Sequence, residues 1–421
     1  MVRGRKKLRF IKKLFLFIFV LSQFFTSAFV LSKGSTDTTE ISNASFQIHH
    51  LVFIFMFMYS MFTFKKGRAE LHIFKLKVPG FWFALFIVYT LVGFFAFVPV
   101  FGVHLIILNF IYAAAVVIVF YNMYENEDPD AVADVVGAAE LSAIIIIVIN
   151  IISQADSIAK FFALSVAEVS ELSGGERASI KVFTGGGQNL ESSLMALYSV
   201  FLLKKKYGFL IWCVSFVISL LYTSRTGFIL NVCVLMWYIL FVKRMRAKKL
   251  MLIFIPLALI AVFVLMNTPL GAIMANRFFK TGTEAGSVGR LQIWEFAFEV
   301  IESYPLGVGC GNAVTALAQM TGRYTDAGTV HNLAGNVHNI YLQYLLEQGI
   351  FGLIFILFSI FIVYVREKKK YFLDPFGAFM ILYFVQGMTQ SKAFDAWMAE
   401  ILGLYFISLK QKWYVPRKIN T

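Results

Sequence analysis

Apolar runs of about 17–25 residues, long enough to cross a bilayer as helices, return along this chain from one end to the other. They fall near residues 14–31, 44–64, 81–101, 103–122, 132–152, 189–203, 208–223, 226–242, 250–266, 349–365, 376–390 and 396–409. Hydrophobic residues make up 59% of the 421 and charged residues only 15%, against roughly 45–50% apolar usage in soluble domains. Hydrocarbon offers the backbone no hydrogen bonds, so each run is read as a helix that satisfies its own polar groups. The expected fold is an all-α polytopic membrane protein of about twelve transmembrane helices, forming a single integral domain over residues 1–421. Two outer loops are large, 153–188 and 267–348, and the second is expected to carry amphipathic helices between the ninth and tenth spans.

Charge then sets the expected orientation. The net charge of +14 comes from Lys and Arg that mostly flank the apolar runs, where they act as topology signals, so no nucleic-acid partner is expected. With the N-terminus inside, 28 of the 38 basic residues fall on the inner side, which predicts cytoplasmic N- and C-termini. The acidic inner loop "YNMYENEDPD" departs from this pattern, but acidic residues contribute little to orientation. The N-terminus begins with a basic cluster and an apolar core like those of a signal peptide, with small Ser27 and Ala28 where a cleavage site would lie. Its 18-residue run from Leu14 to Leu31 is long enough to span, and a retained first helix is expected.

Cysteine usage points to neither a disulfide framework nor a zinc site. Cys213 and Cys233 sit in apolar runs, Cys310 in a polar one, and no Cys or His pair has ligand spacing. The "TGGGQ" stretch lacks the Lys-Ser/Thr of a phosphate loop and reads as a connector.

Three polar positions gather on the predicted outer side. Arg225 in "LLYTSRTGFIL" stands in a turn so short that its guanidinium belongs at the interface, where snorkelling to headgroups is the alternative role. Arg290 opens an amphipathic segment with Ser287 as expected N-cap and Leu291, Trp294, Phe298 and Ile301 at helical spacing. A cation in a first helical turn opposes the dipole unless an anion is near, which points to a phosphate site or to a pair with Glu284. The glycines of the following "YPLGVGCGN" either let backbone approach a ligand or cap the helix. His338 begins a segment in which Tyr341, Leu342 and Leu345 share one face, while Asn339, Gln343 and Glu347 form a polar stripe. That segment is expected to lie at the outer surface and to turn at Gly349 into a span.

Two arginines and an imidazole suit transfer of a glycan from a lipid-linked diphosphate to a hydroxyl. Guanidinium forks match phosphate oxygens and stabilise the charge on a departing diphosphate, and a neutral imidazole can take the hydroxyl proton. Nothing in the scheme calls for a metal. Asp395 in "TQSKAFDAW" could orient the sugar or the histidine, with an i−3 pair to Lys392 as the other role.

The motifs "SRTGF", "GRLQIWEFAFEVIESYPLGVGCGN" and "HNIYLQYLLEQGIFGL" resemble, in order and spacing, those of the bacterial O-antigen ligase and polysaccharide polymerase superfamily. The third carries His338, Asn339, Leu342, Leu345, Glu347, Gly349 and Gly352 at the matching places, and the likeness is best over residues 190–410. The resemblance implies twelve helices with a large outer loop in the bacterial cytoplasmic membrane. It also implies an undecaprenyl-diphosphate-linked glycan donor, no cofactor, metal or nucleotide sugar, and a glycan or lipid-linked acceptor. Arg225 and Arg290 would bind the diphosphate, His338 would activate the acceptor, and Asn339, Glu347 and Asp395 would support them. A flippase and a chain-length regulator are the implied partners. Polymerase is the preferred reading, with a ligase acting on a lipid A core as the first alternative; a lipid-linked glycan transporter and a non-catalytic scaffold are the others.

Overall fold

The computed structural model describes residues 2–22, 30–32, 46–62, 130–153, 188–222, 224–243, 285–309, 337–369 and 375–389, with isolated positions 155, 156, 159, 263, 267, 313, 316 and 317. The regular structure among them is helical apart from one short antiparallel pair, β1 (Val30–Ser32) with β2 (Phe46–Gln47). The helices are α1 (Val2–Ser22), α2 (Ile48–Phe62), α3 (Asp130–Ser153), α4 (Gln188–Leu202), α5 (Gly208–Leu221), α6 (Arg225–Trp237), α7 (Ala285–Ser303), α8 (Ile340–Lys369) and α9 (Pro375–Gln386). A π-helical turn, Tyr238–Val242, continues α6.

Three segments of these helices are long and apolar enough to cross a membrane: Ala133–Ser153, Arg225–Val242 and Ile340–Phe358. The first agrees with the predicted span at 132–152. The predicted first and second spans need correction at their facing ends, because Val30–Ser32 forms a strand, Val30 paired with Gln47 and Ser32 with Phe46, instead of continuing a helix. An apolar count runs through Gln23 and Ser27 without registering that β-branched Val30 can close a ladder across a Ser- and Thr-rich connection. The predicted spans at 81–101, 103–122 and 396–409, nearly all of 250–266, and the loop at 153–188 lie outside the described residues.

Helix α4 is the hub. It packs against α3, α5, α6 and α9, and every residue from Glu191 to Leu203 is buried, as an interior helix requires. Its serines do not strand polar groups in the core: Ser193 and Ser199 donate to Asn189 O at 2.6 Å and Ala196 O at 2.6 Å. Close approach of α6 is set by Gly227, where an added Cβ would strike the Ser192 side chain. Small residues at such crossings are how membrane helices gain packing without a hydrophobic drive between them. Asn231 ties α5 to α6, its amide donating to Ser219 Oγ and Gly227 O, both at 2.9 Å.

On the other side of the bundle α1 docks on α3 through charge. Buried Asp134 takes Lys13 Nζ at 2.9 Å and Arg9 at 3.8 Å, and Glu140 takes Lys205 Nζ at 2.9 Å. The basic start of α1, the start of α3 and the turn after α4 therefore share one end of the bundle.

Gly227→Ala is expected to destabilise the protein by about 1–3 kcal/mol through overpacking against α4; a lowered thermal midpoint of the purified protein in detergent would show it, and an unchanged midpoint would mean the α4–α6 approach is not tight.

Candidate functional site

The second apolar core, distinct from the main bundle, explains the site. In it Ile293, Ala297 and Val300 of α7 pack with Val308, Val337, Leu342 and Leu346. This corrects the expected apolar stripe: Leu291 and Phe298 are exposed, and small Ala297 is what lets α7 come close to α8. The opposite side of the same α8 segment, Ile340 and Tyr344, belongs to the main core. The first half of α8 is thus held between two cores, and its polar stripe does not face water. Gln343 and Glu347 are buried, with Gln343 Nε2 donating to Glu347 Oε1 at 2.7 Å.

The helix breaks at Gly349, where the sequence passes from a polar-striped segment to an apolar run. Gly349 takes φ 58° and ψ −149°, a conformation open essentially to glycine alone. Such a break leaves carbonyls without their i+4 donors, and the loop after α7 supplies replacements. Val308 N donates to Leu346 O at 2.9 Å and Gly309 N to Glu347 O at 2.8 Å. Backbone lies directly on backbone here, since a Cβ on Gly307 would meet Glu347 O and one on Gly349 would meet Pro305 O. In the described part of "YPLGVGCGN", Gly307 lets this backbone lie against that of the broken helix, a role the sequence reading did not foresee.

His338 sits just before α8 with φ 54°, the one non-glycine residue with positive φ among the described residues. Left-handed backbone costs a non-glycine residue about 1–3 kcal/mol and persists only when its surroundings fix it. Both flanks are fixed. Ahead of it, Val337 O accepts the Trp294 indole N–H at 2.8 Å. Behind it, Asn339 Oδ1 accepts from Tyr341 N at 3.0 Å and Leu342 N at 3.1 Å, which makes Asn339 the N-cap of α8. Ile340 N donates to Gly387 O at 2.7 Å, pinning the helix start to the end of α9. His338 itself is half-buried.

Arg225 is the first residue of α6 and half-buried, with Ser224 capping the helix through Gly227 N at 3.1 Å. Next to it Thr226 Oγ1 meets Thr389 Oγ1 at 3.0 Å, and Thr389 lies in the turn whose Gly387 holds Ile340. The starts of α6 and α8, carrying Arg225 and His338, therefore converge on the end of α9. Arg290 differs from expectation. Helix α7 begins at Ala285, so Ser287 lies inside it and Arg290 in its second turn. The cation at a helix start is Arg225 instead. By helical spacing Arg290 stands one turn before Trp294 and on the same face, so its helix is the one fastened to the residue before His338. Asp395 and Lys392 lie outside the described residues.

A guanidinium at a helix start is a place where an anion relieves the opposition of cation and dipole. No group of three or more His, Cys, Asp or Glu that could hold a metal ion occurs among the described residues.

Sequence reasoning missed the brace from Trp294 and the cap at Asn339. The cap had a signal, an Asn directly before an apolar-periodic run; the brace had only an indole, which when buried seeks an acceptor.

Asn339→Ala is expected to cost about 0.5–2 kcal/mol through loss of the cap, and Gly349→Ala more, since its Cβ meets backbone; thermal midpoints of the two purified variants in detergent would rank them, and a Gly349→Ala protein as stable as the parent would contradict the break described.

Comparison with known proteins bears on this arrangement. No curated protein matches the chain. Residues 209–357 match the family model described as O-antigen ligase, a segment that runs from α5 into the second half of α8 and contains Arg225, Arg290 and His338. Over that segment the chain is similar to the O-antigen ligase family.

Proposed function

We propose that this protein polymerises undecaprenyl-diphosphate-linked oligosaccharide repeat units into a cell-surface polysaccharide, without a metal, at the outer face of the bacterial cytoplasmic membrane. The observation that carries the reading is the convergence of the α6 and α8 starts on the end of α9, inside the matched segment. A twelve-helix arrangement with both termini inside puts this end of the bundle on the outer side.

In the proposed reaction His338 takes the proton from an acceptor sugar hydroxyl as its oxygen attacks the anomeric carbon of the donor. The bond from that carbon to the diphosphate oxygen breaks, and the polyprenyl diphosphate leaves with the electron pair. Arg225 and Arg290 neutralise the charge gathering on the diphosphate, where a guanidinium fork acts most strongly. One displacement inverts the anomeric centre. Asn339 supports by capping α8, Glu347 by its buried bond to Gln343, and a flippase and chain-length regulator are the expected partners. The family description favours one second reading, in which the acceptor is a lipid A core or other envelope glycan and the protein is a ligase.

Purified protein is to be supplied with a defined undecaprenyl-diphosphate oligosaccharide in the presence of EDTA. Elongated product is expected from the parent, with loss of about 100-fold or more in His338→Ala, as befits a general base, and comparable loss in Arg225→Ala and Arg290→Ala. Normal polymer from folded His338→Ala protein would remove the base role, and product only on addition of lipid A core would convert polymerase to ligase. The anomeric configuration of the new linkage, read by NMR, is expected to be opposite to that of the donor; retention would rule out a single displacement.

A further inference from the structure

We infer that Trp294 is a positioning residue for His338, coupling the helix of Arg290 to the geometry of the imidazole. This rests on the glycosyl-transfer reading above. The indole N–H donates at 2.8 Å to the carbonyl of Val337, the residue directly before His338. That peptide fixes the direction in which the His338 backbone departs, and His338 holds a φ of 54° that a side-chain-bearing residue does not adopt unless it is held. The downstream flank is held separately, by the Asn339 cap and by Ile340 on Gly387. Trp294 is thus the upstream half of the clamp, and it reaches across from a different helix.

The side chain is suited to the task. It is partly buried against the second core, between Ile293 and Ala297 in sequence and over Val337 in space. Its ring is rigid, with two side-chain torsions, so the N–H is delivered with little freedom to wander. Arg290 lies one turn earlier on the same helix. Displacing α7 moves both the donor-binding arginine and the hold on Val337, so engagement of the diphosphate and alignment of the base are mechanically one event. No exchange of protons with substrate is assigned to Trp294.

The test uses the full-length protein in detergent or liposomes with the defined lipid-linked oligosaccharide. Trp294→Phe keeps an aromatic ring and removes the N–H. The expected result is a fall in kcat of about 10-fold with KM for the donor within about twofold of the parent, as follows when only alignment in the transition state is lost. In the double variant with His338→Ala, Trp294→Phe is expected to cause no further loss, because a residue acting through His338 has nothing left to position. Equal fractional losses in both backgrounds, or parental kcat in folded Trp294→Phe, would overturn the inference. Should Trp294→Phe not fold, a benzothienylalanine at position 294, which keeps the ring shape and lacks the N–H, answers the same question by the same two criteria. A parent protein with no turnover at all, or His338→Ala with full turnover, would instead count against the underlying reaction, and the two failures are distinguished by that control.

Discussion

Two backbone hydrogen bonds, from Val308 and Gly309 to the carbonyls of Leu346 and Glu347, make the break in α8 possible. A helix interrupted in an apolar setting strands carbonyls that no water can reach, and each would cost more than packing returns. The loop after α7 removes that cost, and it can do so only because Gly307 and Gly349 let two backbones touch. Once the break is satisfied, the first half of α8 is free to leave the line of the second and wedge between two cores. Its start can then meet α9, and His338 is delivered to the end of the bundle where Arg225 begins α6.

The same logic accounts for the buried polar stripe. Asn339, Gln343 and Glu347 recur on one face of α8, and each makes a bond within the protein: Asn339 Oδ1 caps its own helix start, and Gln343 Nε2 donates to Glu347 Oε1. Polar groups shut away from water must be paired, and here the pairing also holds the segment that positions His338. The same atoms therefore serve stability and the backbone geometry around His338.

Much of this was legible in the chain. The span at 132–152 could be read within a residue because a long apolar run with a charged start admits few alternatives; at Gly349 the sequence shows polar periodicity giving way to an apolar run, but not the break in the helix. The three candidate residues were picked out by type and by the order of their motifs, and the helix starts carrying two of them, Arg225 and His338, meet at the end of α9. What escaped is what depends on distant partners. An apolar count cannot see that Val30 finds Gln47, nor that the glycines of "YPLGVG" answer a break forty residues later. Arg290 was placed too near its helix start, since Ser287 offers a cap signal that the helix, beginning at Ala285, does not use. Leu291 and Phe298 matched a helical stripe as well as the residues that are buried, because α7 is apolar on more than one face and periodicity alone does not choose between them.

The ion pairs at the far end of the bundle have a consequence for how the chain assembles. Asp134 is nearly inaccessible, and its carboxylate is matched by Lys13 and Arg9 from α1. A buried charge whose partner is missing is among the costliest of defects, so α3 has no comfortable resting place until α1 is there to receive it. Helix α1 is in this sense a template: the order in which the ribosome releases α1 and α3 is also the order in which they can be accommodated, and a chain that lost α1 would forfeit the seat of α3.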